Sequence, residues 1–286
     1  MNHLLTGDEL GRDEVLWILD RAEAFKREPL GSDLLARRSV ALIFQKPSTR
    51  TRVSFESGIV EMGGHPMVIR PDDLQLQRGE SLRDTARVLG RHVAAVGVRT
   101  HDDGELRRLA AEDQLPVFNM LTQGHHPCQA LADLLTLREA FGELDGLKLT
   151  YVGDGNNVAR SLVVLGSKVG VEVVVSSPPG YQLDGATTVE DPREAVAGAQ
   201  AVYTDVWVSM GDVDTEKRRQ VLAGYAIDDE LLAAAAPGAI ALHCLPAHPG
   251  EEISESVLYG ERQRIWDQAE NRRHAQKAML ECLLGA

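Results

Sequence analysis

Short apolar runs alternate with helical segments along almost the whole chain, and this alternation limits the possible folds more than any other feature. In the first half, the runs at 40–44, 94–98 and 116–120 have the length and composition of buried strands. Segments with apolar residues on one helical face precede or separate them, as in the helices predicted at 8–27 and from Ser48 onward. This order is typical of a parallel sheet with helices on both faces.

A second series of the same kind follows a helical segment at 128–141 and a turn at Asp145-Gly146. Its strands are predicted at 148–152, 171–176, 201–204 and 239–243. The sequence therefore predicts an α/β protein with two doubly wound parallel-sheet domains joined by interdomain helices. We expect one domain to comprise residues 1–133 and a C-terminal helix at 268–286, and the other to comprise residues 134–267.

Charge and cysteine usage exclude several classes of protein. The formal net charge of -13 argues against a nucleic-acid partner, because such binding needs clustered basic residues. No apolar run approaches the roughly 18 residues of a membrane span, and the first ten residues do not resemble a signal peptide. The three cysteines are widely spaced and predict neither a disulfide framework nor a cysteine metal site. A cytoplasmic protein is the expectation.

The strongest local signal is the run from Ser48 to Arg52, which reads Ser-Thr-Arg-Thr-Arg and opens a helix directly after a strand. Free backbone N–H groups and the helix dipole favour an anion such as phosphate at a helix start. Two threonine hydroxyls and two guanidinium groups add donors in the same place. A serine here can also be only a helix cap beside solvated arginines, but this density of donors favours an anion site.

This segment resembles the carbamoyl-phosphate loop of the aspartate/ornithine carbamoyltransferase family. Three further motifs follow in the order found in that family. They are Glu80-Ser81 through Asp84-Thr85-Ala86-Arg87-Val88-Leu89, His126-Pro127-Cys128-Gln129, and His243-Cys244-Leu245-Pro246. The resemblance extends to Ala269-Glu270-Asn271-Arg272 and implies carbamoyl transfer from carbamoyl phosphate to an amino group.

The acceptor predicted within that family is L-ornithine. The segment from Asp205 to Gly211 is similar to the ornithine-binding loop, and His-Cys-Leu-Pro is the ornithine-type form of its motif. An aspartate acceptor needs basic groups for its second carboxylate, whereas Asp205 suits a substrate ammonium. Pro47 is the one departure in the phosphate loop that instead matches the aspartate enzymes.

The resemblance also implies a role for individual residues. The carbamoyl-phosphate site would comprise Ser48, Thr49, Arg50, Thr51, Gln75, Arg99, His126, Gln129, Cys244, Leu245 and Arg272. The ornithine site would comprise Asn157, Asp205, Ser209 and Met210. Arg99, His126, Asp205 and Cys244 are the candidate catalytic residues. Gln75 corresponds to a position that reaches a neighbouring subunit, so a homotrimer or a multiple of trimers with shared active sites is expected. No metal or organic cofactor is expected.

Other interpretations of these motifs remain open at this stage. His126 can be a polar helix cap, Cys244 a small buried residue, and Asn157 part of a cap with Asn156. Gly153-Asp154-Gly155 resembles a dinucleotide turn but lacks the third glycine in place. A carbamoyltransferase acting on putrescine, a modified ornithine or aspartate is one alternative function, and a catalytically silent trimeric paralogue is another.

Overall fold

The computed structural model describes residues 3–75, 79–208 and 214–285. The chain divides into two compact units, Met1–Leu135 with Glu270–Ala286 and Thr136–Ala269. The boundaries fall inside two helices, α5 (Pro127–Phe141) and α11 (Ile265–Leu284). None of the helices in the described ranges has the length and apolar character needed to cross a membrane.

The first unit is built on a parallel sheet of four strands in the order β2-β1-β3-β4. The strands are β1 (Ser39–Phe44), β2 (His65–Ile69), β3 (Ala95–Arg99) and β4 (Val117–Leu121). Its other helices are α1 (Arg12–Arg27), α2 (Thr49–Glu61), α3 (Leu82–Leu89) and α4 (Asp103–Ala111). Strand β2 was not predicted from the sequence, because this edge strand is half-exposed and contains Pro66 instead of a continuous apolar run.

The second unit contains a parallel sheet of five strands in the order β7-β6-β5-β8-β9. The strands are β5 (Lys148–Val152), β6 (Glu172–Ser176), β7 (Thr187–Thr188), β8 (Ala201–Thr204) and β9 (Ile240–His243). The helices are α6 (Asn157–Lys168), α7 (Pro192–Val196), α8 (Thr215–Leu222), α9 (Asp229–Ala234) and α10 (Glu255–Leu258). The two parallel α/β sheets confirm the predicted fold class.

The core of the first unit has no space for a side chain at Gly97 in the middle of β3. A Cβ atom built there would lie 2.3 Å from Cε2 and 2.5 Å from Cζ of Phe118, a fully buried residue. Phe118 also stacks on Phe55 with a centroid distance of 5.1 Å, so its ring has little freedom to move away. Glycine is therefore required at this position by packing and not by its backbone angles.

Replacement of Gly97 by alanine is expected to lower the free energy of unfolding by about 1–3 kcal/mol, because the added methyl group must displace the Phe118 ring. Urea denaturation followed by circular dichroism would measure the change. Gly224→Ala is the matched control, since no atom lies within 4 Å of a Cβ at Gly224. Equal stabilities of the two variants would contradict this account of the packing.

Candidate active site

The strand orders show where each sheet can bind a ligand. In the first sheet, the connections from β1 and β3 lead in opposite directions, to β2 and to β4. In the second sheet, the same reversal occurs between β5 and β8. Ligands of open α/β sheets bind beyond the carboxyl ends of the strands at such switch points. The candidate residues Arg50, Arg99 and Asp205 follow or end these strands, so the topology places them where a site is expected.

The amino terminus of α2 forms the first part of the site in the first unit. Ser48 is the N-cap, and its side chain accepts a hydrogen bond from the backbone N–H of Thr51 at 3.4 Å. Ser48 is thus a helix cap, one of the two roles that the sequence allows, and the helix start retains its positive dipole end. The Thr51 side chain is buried and its Oγ1 accepts a hydrogen bond from Arg272 at 2.7 Å.

Three arginines lie close to His126 and make this site strongly positive. Burial lowers the pKa of the His126 imidazole well below its ordinary value, and the charges of Arg272, Arg99 and Arg50 lower it further. His126 directly precedes α5, and Arg99 is the last residue of β3. At neutral pH the imidazole is therefore neutral. It can donate one hydrogen bond to a ligand oxygen while the guanidinium groups supply the positive charge.

Two buried polar atoms of this site have no partner within the described part of the chain. Nε of Arg50 gives no hydrogen bond, and Oε1 of Gln129 receives none. The amide of Gln129 is oriented by Asp133, because its Nε2 donates to Asp133 Oδ1 at 2.8 Å. Buried polar groups in proteins are nearly always satisfied. A ligand with an anionic oxygen and an N–H group would satisfy both atoms.

The low pKa of His126 predicts how acid affects stability. Between its folded-state pKa and the ordinary value of 6.5, the unfolded chain binds a proton at this residue that the folded chain does not. The free energy of unfolding should therefore fall as the pH decreases below 6.5, with a contribution of up to about 1.4 kcal/mol per pH unit from this group. His126→Gln should remove that contribution and make the pH profile shallower.

Urea denaturation of both proteins between pH 7.5 and 5 would measure this difference. His92→Gln serves as the control, because His92 is an exposed histidine of the same unit. A His126→Gln profile parallel to that of the parent protein would show that His126 is not buried in its neutral form.

Asp205 is the centre of the site in the second unit. Its carboxylate accepts hydrogen bonds from Asn156 Nδ2 at 2.9 Å, from the Cys244 thiol at 2.9 Å and from the Val206 backbone N–H at 2.8 Å. The same Asn156 caps α6, since its Oδ1 accepts from the backbone N–H of Val158 at 2.9 Å. The predicted site residue was the neighbouring Asn157, whereas the direct partner of Asp205 is Asn156, which the sequence suggests only as a helix cap.

Arg218 holds the segment after Asp205 against the loop after β5. Its Nε donates to the backbone carbonyl of Trp207 at 3.0 Å, and its guanidinium forms an ion pair with Asp154. The guanidinium also lies over the Tyr181 ring, 5.0 Å from the centroid. No motif of the sequence points to Arg218, because its ion-pair partner Asp154 lies 64 positions away in the chain.

A buried network orients the segment after β9. Nε2 of His243 lies 3.1 Å from Glu252 Oε1, and Nδ1 of His243 accepts the backbone N–H of Leu245 at 2.8 Å. His243 must therefore carry its proton on Nε2 and donate it to Glu252. Leu245 has a φ of 62°, in the left-handed region that side chains rarely adopt. The network thus holds an unusual backbone conformation beside Cys244.

The remaining candidate residues have the following positions. Thr49 and Gln75 are exposed in the first unit, and Asn157 is the first residue of α6. Ser209 and Met210 lie outside the described residues. Cys128 is buried, its thiol donates to the Asn119 carbonyl at 3.3 Å, and burial raises its pKa to about 12. Cys128 is therefore a structural residue of the core.

Both units match models of one protein family. Residues 2–139 match the model described as aspartate/ornithine carbamoyltransferase, carbamoyl-P binding domain. Residues 145–283 match the Asp/Orn binding domain of the same family.

Individual relatives extend this similarity over the whole length. An ornithine carbamoyltransferase of Acidothermus cellulolyticus is 50% identical, with 100% of this chain and 97% of the relative covered. An anabolic ornithine carbamoyltransferase of Pyrococcus furiosus is 43% identical over 99% of this chain and 96% of the relative. A solved structure of ornithine carbamoyltransferase from Pyrococcus furiosus superposes with a TM-score of 0.94, at 43% identity and with 100% of this chain and 97% of that chain covered.

Proposed function

The chain belongs to the aspartate/ornithine carbamoyltransferase family, and we infer that it transfers the carbamoyl group of carbamoyl phosphate to the side-chain amine of L-ornithine. The products are L-citrulline and phosphate. One observation carries this conclusion beyond the family: an arginine-rich site in the first unit accompanies an acidic site around Asp205 in the second. The first charge pattern suits a phosphorylated donor, and the second suits an amine acceptor.

In this proposal the first unit binds carbamoyl phosphate. Phosphate oxygens would accept hydrogen bonds from the backbone at the start of α2, from the Thr49 and Thr51 hydroxyls and from the Arg50 guanidinium. Arg99 and His126 would donate to the carbonyl oxygen, where negative charge develops as the amine attacks. The carbamoyl NH2 group would donate to Gln129 Oε1, an acceptor that no described residue satisfies. Arg272 would contribute further positive charge.

The second unit would bind ornithine. Asp205 presents the negative charge for the side-chain ammonium, while Cys244 and the Leu245 backbone would contact the reacting groups. Asn157, Ser209 and Met210 would bind the amino-acid backbone of the substrate. A free amine of this type has a pKa of roughly 10 and must lose a proton before it can attack. Desolvation beside cationic groups would favour the neutral amine, and Asp205 or Cys244 would orient it.

The assembly, location and pathway are also part of the proposal. We propose a homotrimer, or a multiple of trimers, in which exposed Gln75 reaches the carbamoyl phosphate of the neighbouring subunit. A cytoplasmic location and a role in arginine biosynthesis are the further expectations, the latter supported by the anabolic relative. Light scattering of the purified protein would measure the molar mass of the assembly, which should be three times that of the chain or a multiple of that value. An active monomer would contradict the shared site.

The central experiment is a carbamoyl-transfer assay that measures phosphate release and the carbamoylated product, with carbamoyl phosphate as donor and ornithine, putrescine or aspartate as the acceptor. We expect a clear preference for ornithine in kcat/KM. Asp205 would repel the second carboxylate of aspartate, and putrescine lacks the amino-acid backbone that Asn157, Ser209 and Met210 would bind. Faster carbamoylation of putrescine or aspartate would assign a different acceptor. No reaction with any acceptor would favour the silent paralogue.

A further inference from the structure

Three side chains whose atoms could bind a metal ion lie together between β9 and α10 in the second unit. One atom from each of His248, Glu251 and Glu252 lies within 4.8 Å of the corresponding atoms of the other two. A tight turn brings them together, because the Glu251 N–H donates to the His248 carbonyl at 2.9 Å and Gly250 has a φ of 89°. The proposed reaction uses none of these three side chains to contact a substrate.

Glu252 provides an independent indication of a ligand. Its side chain is fully buried, and its Oε1 interacts with His243 Nε2 at 3.1 Å and accepts the His248 backbone N–H at 2.5 Å. Its Oε2 is equally buried but accepts no hydrogen bond from any residue that the structure describes. A buried carboxylate oxygen without a donor is costly, and a bound cation would remove that cost.

The spacing of the ligand atoms also suits a cation. His248 Nδ1 lies 3.6 Å from Glu252 Oε2, which is too long for a hydrogen bond. Two ligands bonded at about 2.0–2.1 Å to a tetrahedral ion are separated by about 3.3–3.4 Å. A shift of a few tenths of an ångström would therefore allow both atoms to bind one ion. The His248 side chain is half-exposed, so an ion can enter from solvent.

We propose that His248, Glu251 and Glu252 bind one divalent transition-metal cation such as Zn2+, Co2+ or Ni2+. A nitrogen ligand with two carboxylates suits these ions better than Mg2+, which prefers oxygen ligands and retains its water. Solvent would complete the coordination. The carboxylate of Glu252 then has two roles, with Oε1 accepting the hydrogen bond from His243 and Oε2 binding the ion, because side chains that bind a metal commonly also hydrogen-bond to a neighbouring group that orients them. This site does not depend on the proposed enzymatic activity.

Arg219 competes with the ion for Glu251. Its Nε lies 3.2 Å from Oε1 and 3.1 Å from Oε2 of Glu251, in an ion pair whose side chains are 42% and 32% exposed. A pair this exposed contributes little to stability, so Glu251 can exchange it for a metal ion. Removal of Arg219 should free Glu251, reduce the local positive charge and strengthen binding.

A second group with metal-binding atoms, Asp205, His243 and Cys244, must be distinguished from this site. That group contains a thiol, and a cobalt–thiolate bond gives an intense charge-transfer absorption in the near ultraviolet. Binding at the proposed site involves only nitrogen and oxygen ligands and produces no such band. The cobalt spectrum therefore identifies the occupied group.

The experiment uses the full chain without a histidine tag, treated with a chelator and then titrated with Co2+ or Zn2+. Calorimetry measures the affinity and the number of ions bound, and the near-ultraviolet and visible absorption spectrum of the cobalt form shows whether a thiolate is a ligand. We expect one ion per chain, without the thiolate band. His248→Ala should weaken binding at least tenfold, and Arg219→Ala should strengthen it severalfold. His92→Ala, which removes an exposed histidine of the other unit, should leave it unchanged. Circular dichroism would verify that each variant is folded.

Three results would overturn the proposal. One is equal affinity in the parent protein and in folded His248→Ala. Another is a thiolate band that disappears in Cys244→Ser, which would assign the ion to the other group. The third is the absence of binding by both metals at millimolar concentration, in which case His248 and Glu252 form only a loose ion pair.

Discussion

Replacement of Arg50 by alanine is expected to reduce kcat/KM for carbamoyl phosphate by about 10²–10³-fold, the usual cost of removing a donor to an oxygen on which negative charge develops in the transition state, here an oxygen of the departing phosphate. Arg50 lies in the first turn of α2, and its buried Nε has no acceptor within the described part of the chain. Its charge also contributes to the low pKa of His126. Loss of Arg50 should raise KM and lower kcat together, because the departing phosphate carries more charge in the transition state than in the bound substrate.

Steady-state kinetics of citrulline formation would measure both constants, with Arg52→Ala as the matched control. Arg52 is two residues further along α2, but its guanidinium pairs with Glu56 at 2.9 Å on the surface. The control should stay within about twofold of the parent protein, since an exposed ion pair contributes little. Similar kinetics for the two variants would show that the phosphate is not bound at the start of α2.

Replacement of Asp205 by asparagine is expected to raise the KM for ornithine by at least about 100-fold, with a fall in kcat and little change in the KM for carbamoyl phosphate. The buried carboxylate provides the negative charge for the substrate ammonium, and truncation of such a pair usually costs 2–5 kcal/mol. Asparagine keeps the shape of the side chain. In the parent protein, however, three groups donate hydrogen bonds to the carboxylate, and the amide of the variant must adapt to them; they belong to Asn156, Val206 and Cys244.

Separate titrations of ornithine and of carbamoyl phosphate would distinguish the two KM values. Asp184→Asn removes an exposed carboxylate of the same unit and should leave both values unchanged. Thermal unfolding would establish that Asp205→Asn is folded. A folded variant with an unchanged KM for ornithine would exclude Asp205 as the group that binds the ammonium.

The strands that the sequence predicted correctly are those with buried apolar side chains. For example, β1 and β3 were predicted within one or two residues, because nearly every position in them is buried and apolar. The edge strand β2 escaped prediction for the opposite reason. Strand β2 pairs with β1 in a register that runs from Ser39 with His65 to Ile43 with Ile69. This pairing uses backbone hydrogen bonds, which leave no apolar pattern in the sequence.

The candidate site was predictable where its chemistry is concentrated in a short segment. The donors from Ser48 to Arg52 are neighbours in the chain, and a helix start has the same geometry in any protein. Partners distant in sequence were not predictable in this way. Arg272 and Thr51, whose side chains are joined by a hydrogen bond, are 221 positions apart.

The sequence alone determined the two α/β series and predicted the helix start at Ser48, because these depend on local periodicity and on residue type, whereas the resemblance to the family singled out the acidic residue after β8. Only the tertiary structure decided that His126 is buried beside three arginines, that Asn156 and Cys244 both contact Asp205, and that Glu252 has one unsatisfied oxygen. The physical reason is that desolvation and charge–charge interactions depend on distances in space, which the order of residues along the chain does not specify.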